Sequence, residues 1–138
     1  MPARKRPAPA PQPDPLVIEL PLPPSVNNMY FNVPGVGRVP TPELRAFKRD
    51  AAKRLGLQNV PRGGWEHVEA VHWDGRFYVP TRGSDADNLI KAWQDFVADW
   101  FGVNDNKFED GHYARHIDPD NPRVVVKLWP ARRRERGE

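Results

Sequence analysis

Gly83-Ser84-Asp85-Ala86-Asp87-Asn88-Leu89-Ile90-Lys91 opens the stretch that decides the fold, and it runs on to Gly102. Leu89, Trp93, Phe96, Val97 and Trp100 recur at i, i+4, i+7, i+8 and i+11, which is one apolar stripe of an amphipathic helix. The pattern predicts a helix that starts near Asp85–Asp87 and stops by Gly102. A one-striped helix needs an apolar partner, and its flanks supply strand patterns. Phe108 to Ile117 and Arg123 to Trp129 read as strands, with Pro119 to Pro122 as the turn between them.

Upstream of the helix, Trp65 to Val79 alternates irregularly around Asp74-Gly75 and reads as two strands joined by a glycine turn or bulge. Leu16 to Leu20 reads as a first strand, closed by Pro21-Leu22-Pro23-Pro24 and followed by the polar turn Ser25-Val26-Asn27-Asn28. Met29 to Val39, with Gly35 and Gly37 inside, fits a short hairpin. Thr41-Pro42-Glu43 starts another helix: a hydroxyl at the N-cap, proline at the first helical position and an acid in the first turn. Leu44, Phe47, Ala51 and Leu55 form its stripe, and Gly56 reads as its stop. The fold class expected is α/β of the α+β type: a small mixed β-sheet with about two main helices.

Charge is distributed unevenly. The 138 residues hold 21 Lys+Arg against 18 Asp+Glu, a net +3. Residues 1–14, a Pro/Ala-rich arm expected to be disordered, carry +2, and the tail 131–138 carries another +2. Residues 15–130, the expected folded domain, are therefore left at −1. Within it, residues 15–84 hold nine basic and six acidic side chains, whereas 85–130 hold five and nine. Acids weaken binding to a polyanion unless a cation stands between them, so a simple DNA-coating protein fits this distribution poorly. The absence of cysteine excludes disulfides, thiolate metal sites and a cysteine nucleophile. There is no long apolar run and no secretory signal pattern, so a cytoplasmic protein without membrane contact is expected.

Asp85 and Asp87 alternate as the chain enters the helix, and Lys91 lies one turn beyond Asp87. Converging carboxylates suit a hard cation such as Mg²⁺, and an adjacent lysine can stabilise charge that develops on a phosphoryl group. The plainer alternative is a helix cap, with Asp87–Lys91 an ordinary i,i+4 pair. A third acid, Asp105 in Gly102-Val103-Asn104-Asp105-Asn106, joins the first two only if the chain folds back past the helix. Asp110, His112, His116 and Asp118 also share one strand face. They span about 26 Å, too far for one ion, and are read as surface polar residues. Trp93, Trp100, Phe96 and Phe101 could stack on bases, but their helical spacing favours core packing or a dimer interface.

Three blocks, Leu20-Pro21-Leu22-Pro23-Pro24-Ser25-Val26-Asn27-Asn28, Asp85-Ala86-Asp87-Asn88-Leu89-Ile90-Lys91 and Asn104-Asp105, occur in the order and spacing of RusA-type Holliday junction resolvases. The sequence resembles that family over roughly residues 16–128. The resemblance implies a homodimeric, Mg²⁺-dependent endonuclease, with Mn²⁺ as a substitute ion, that nicks opposing strands of a four-way DNA junction without a small-molecule cofactor. By similarity, Asp85, Asp87 and Asp105 are the metal-binding catalytic carboxylates and Lys91 is the catalytic lysine. The family's third acid usually follows another acid, and here Asn104 takes that preceding place. Asn27, Asn28, Tyr30, Arg38 and Arg82 are expected near the site. Arg45, Lys48, Arg49 and Lys53 form a row on the first helix suited to phosphates, and the arm and tail are expected to add salt-sensitive affinity. The alternatives are a non-catalytic DNA-binding protein and an endonuclease with broader selectivity for flaps or forks.

Overall fold

The computed structural model describes residues 14–132, so the expectations for the arm fall almost wholly, and those for the tail largely, outside the described residues. In chain order the elements are β1 (Leu16–Pro21), β2 (Tyr30–Val33), β3 (Gly37–Pro40), α1 (Pro42–Leu57), β4 (Val68–Val79), α2 (Ile90–Phe101), β5 (Phe108–Ile117) and β6 (Arg123–Arg132). Short 3₁₀ turns at Val26–Asn28, Asp87–Leu89 and Asp105–Lys107 lie between them. Four strands form one sheet in the order β1-β6-β4-β5, and β2 and β3 pair as a separate hairpin. The architecture is the mixed α+β type that the pattern predicts.

β4 and β5 run parallel, while the β1–β6 and β4–β6 pairs are antiparallel. A parallel pair cannot be closed by a tight turn, and α2 is the crossover that returns the chain to the same end of the sheet. Alternation on the strands sends Ile18, Leu20, Val71, Trp73, Phe77, Val79, Val124, Val126 and Leu128 into one core. The stripes of both helices, Leu44, Phe47, Ala51 and Leu55 of α1 and Trp93, Phe96, Val97 and Trp100 of α2, bury in that same core. Trp93 is fully buried, edge-on to Trp73 at 5.1 Å and to Phe108 at 5.8 Å. The aromatic residues of α2 are thus core residues and not a base-stacking platform. Trp100 Nε1 donates to the Pro61 carbonyl at 3.1 Å, which satisfies the polar edge of its ring.

Two expectations are corrected. Trp65 to Val79 does not form two strands: β4 is one strand of 12 residues through Asp74-Gly75. Gly75 is not a turn residue there. A Cβ at that position would come within 3.3 Å of the Phe77 ring and 3.4 Å of the Trp73 ring, so the missing side chain makes room for two inward aromatics. The first helix also runs past Gly56 to Leu57 and is capped by Gln58. The Gln58 amide is bonded to both Glu19 backbone groups, accepting at 2.8 Å and donating at 2.8 Å, and so covers part of the open edge of β1. At the other end of the chain, β6 continues through Ala131 and Arg132, paired with Ala70 and Val68. No helix among the described residues is long and apolar enough to cross a membrane.

Candidate active site

Thr41 joins the hairpin side of the fold to α1. Its hydroxyl oxygen accepts from the Leu44 N–H at 3.1 Å, while the hydroxyl donates to the Asn28 carbonyl and its own N–H donates to Met29 at 3.0 Å. A cap of this kind stabilises a helix by about 1 kcal/mol, and here it also fixes the Asn27-Asn28 turn. That turn packs against both the Asp87–Leu89 turn and α2. Asn27 and Asn28 are exposed.

The acidic segment is shaped by its two apolar members. Ala86 (6% exposed) and Leu89 (7%) are held in the core, which leaves Asp85 and Asp87 projecting outward. The helix does not begin at the acids. Asp87–Leu89 forms a 3₁₀ turn and the α-helix starts only at Ile90. Neither helical segment has a side-chain cap, so Asp85 and Asp87 do not serve as N-caps. Asp85 accepts a long bond from Asn88 at 3.5 Å. Among the described residues, no basic side chain lies within ion-pair distance of Asp85 or Asp87.

Lys91 does not pair with Asp87, which lies in the 3₁₀ turn that precedes α2. Its Nζ lies 3.1 Å from Asp95 and 3.6 Å from Asp105. Asp95 is an acid the sequence reading passed over, and it is the nearer partner. The hydrogen bond that Lys91 donates to Asp95, with smaller contributions from Asp105, holds the Lys91 ammonium above its ordinary titration range against the opposing effect of partial burial.

Asp105 reaches this place because the chain does fold back past the helix. Gly102 ends α2 in the left-handed conformation at φ 76°, and Val103 N–H bonds back to the Ala98 carbonyl at 2.9 Å. Asn104 then accepts from the Asn106 N–H at 3.1 Å and shapes the turn that presents Asp105. The amide oxygen at this position is therefore engaged in local structure. The structure brings together Lys91, Asp95 and Asp105, and it places Asp85 and Asp87 on the turn just before Lys91. The three carboxylates expected to bind metal do not meet within the 4.8 Å donor spacing of a compact cluster. The one group of that kind among the described residues is His72, Glu109 and Asp110.

That group lies elsewhere, on the outer face of the β4–β5 pair. His72 faces Glu109 across the strands at 3.9 Å and Asp110 at 3.3 Å. It was missed because strand register, and not sequence spacing, brings His72 to Asp110. The alternative set Asp110, His112, His116 and Asp118 is not gathered. His116 stacks on Tyr78 at 5.1 Å, and Asp118 pairs with Arg123 at 3.0 Å.

The basic candidates occupy three places. Arg45, Lys48, Arg49 and Lys53 are exposed on α1, with Arg49 3.5 Å from Asp50. Tyr30 and Arg38 face each other across the β2–β3 hairpin, with the guanidinium 4.3 Å over the ring. Arg82 is exposed in the loop that leads to Asp85. In comparisons with known proteins, no family model matches this sequence and no curated protein matches it.

Proposed function

We propose that this protein is a Mg²⁺-dependent, structure-specific DNA endonuclease of the RusA type, which resolves four-way junctions by paired nicks as a homodimer. The observation that carries this reading is the return of the chain after α2, which sets Asp105 3.6 Å from Lys91, the residue four positions after Asp87. Asp85, Asp87 and Asp105 are exposed carboxylates, the first two without a basic partner among the described residues, and carboxylates are the hard oxygen donors Mg²⁺ requires. Asp85, Asp87 and Asp105 would hold the ion, which when bound supplies charge neutralisation on the phosphate and a more acidic water.

The remaining work falls to the chain's own groups. Lys91, fixed between Asp95 and Asp105, holds a positive charge where negative charge grows on the scissile phosphate or its leaving oxygen. Asn27 and Asn28 offer amide donors to the flanking backbone. The α1 row supplies sequence-independent phosphate contacts. One chain carries one such acidic site, whereas resolution needs two symmetric nicks, so the reaction calls for a two-fold dimer.

In the metal-free protein the Lys91 pKa lies above its ordinary value, chiefly through the hydrogen bond Lys91 donates to Asp95, so the ammonium persists through the neutral and mildly alkaline range and is lost only as pH climbs through the raised value. An NMR titration of the Lys91 side chain in the metal-free protein is accordingly expected to show a midpoint above that of a free lysine side chain. A midpoint at or below the free-lysine value, or one that Asp95→Asn leaves unchanged, would contradict this contact. The broader reading is tested by incubating the protein and Mg²⁺ with a labelled four-way junction beside duplex, flap and fork substrates. Preferential nicking of the junction supports it. Equal cutting of flaps or forks would replace it with a less selective nuclease.

A further inference from the structure

Resting on the metal-site reading above, we infer that Arg115 of β5 is a positioning residue for the Asp85–Asp87 carboxylates. The segment between β4 and the Asp87–Leu89 turn, residues 80–86, carries Asp85 and leads directly into Asp87. Its near end is fixed by buried Val79 and its far end by Ala86 and Leu89. Between them, Thr81 to Ser84 hold one another only by local contacts: a 3.3 Å backbone bond and a 3.2 Å contact between hydroxyls. At Gly83 even an added Cβ would meet nothing within 4 Å, so no neighbouring element packs against the chain there.

Arg115 supplies the missing tie. Its Nη1 donates to the Arg82 carbonyl at 2.8 Å and to the Ser84 carbonyl at 2.9 Å, reaching across 33 and 31 residues of sequence. No other side chain among the described residues bonds these loop carbonyls. Both bonds are charge-assisted and short. The Ser84 carbonyl belongs to the same planar unit as the Asp85 N–H, so fixing it fixes the plane from which Asp85 departs. Arg115 lies beside Phe77 in the parallel β4–β5 register, on the rigid sheet and not on a loop. A loop that must present carboxylates at a constant spacing is thereby referenced to the sheet.

The test uses the full chain and Mn²⁺ alone, without DNA, titrated by the electron paramagnetic resonance signal of free Mn²⁺. Arg115→Met should weaken Mn²⁺ binding about tenfold, as loss of an outer support typically does. Arg115→Lys, which keeps a donor nitrogen and the charge, should stay within about threefold of the wild type. Hydrogen exchange should speed up at residues 82–87 in Arg115→Met while the β1–β6 pair remains as protected as before. Asp87→Asn should abolish the binding and His72→Ala should leave it intact, which assigns the signal to this site. Unchanged Mn²⁺ affinity in Arg115→Met would overturn the inference, as would a loss accompanied by faster exchange throughout the sheet. Wild-type protein that binds no Mn²⁺ would instead remove the metal site itself, and the role of Arg115 with it.

Discussion

Asp87→Asn is expected to reduce Mg²⁺-dependent cleavage of a four-way junction by about 10³-fold or more while leaving junction binding in place. The size follows from the loss of one anionic ligand from an ion whose electrostatic contribution is several kcal/mol, at about 1.4 kcal/mol per tenfold in rate. Binding should persist because asparagine removes a negative charge from a surface that meets a polyanion. The fold should persist too, since Asp87 is exposed and takes no part in capping either the 3₁₀ turn or α2. Ala86 and Leu89, which anchor the segment, are untouched. Strand-cleavage kinetics and a gel-shift titration on the same junction check both halves. Retained cutting would take Asp87 out of the site.

Gly111→Ala should have the largest effect on stability. β5 bulges against β4: His72 pairs with Glu109 and Asp74 with His112, so Asp110 and Gly111 together oppose Trp73. Asp110 takes up the extra residue at φ 51°, a left-handed conformation that aspartate adopts more readily than most residues other than glycine. Gly111 then lies directly on the Trp73 indole, where an added Cβ would fall 1.8 Å from ring atom Cε2. Trp73 cannot retreat easily, because it is buried edge-on against Trp93. Either the core repacks or β4 and β5 separate, and we expect a loss of about 3 kcal/mol, the upper part of the range for overpacking. Chemical denaturation measures it directly. A variant within about 1 kcal/mol of the wild type would show that the β4–β5 contact is looser than described. Because β5 follows Asp105 and carries Arg115, the same variant should also lose metal affinity.

The parts of this molecule that sequence made legible are those governed by local rules. Thr41-Pro42 and the stripe from Leu44 to Leu55 marked α1, and the stripe from Leu89 to Trp100 with Gly102 behind it marked α2. The three candidate acids stood out by their residue type and by their place at helix ends. What could not be read was set by long-range register. Asp74-Gly75 looked like a turn because nothing local reveals that Trp73 and Phe77 need the space. The start of α2 at Ile90 has no local mark, since a 3₁₀ turn with Leu89 buried in the core runs straight into it. Asp95 lay in plain view on a helix, four residues after Lys91, yet its importance depends on Asp105 arriving at the same ammonium. Arg115 had no sequence signal at all, since its partners are backbone carbonyls more than 30 residues away.

The proposed function comes down to one claim: that Asp85, Asp87 and Asp105 hold an ion that supports cleavage of branched DNA. The most direct measurement is a cleavage time course on a four-way junction labelled on each strand in turn, with Mg²⁺ or Mn²⁺ added or withheld. The account predicts metal-dependent nicks on two opposing strands at symmetric positions, and ligatable duplex products. No cleavage of any strand with either ion across the neutral and mildly alkaline range would contradict it.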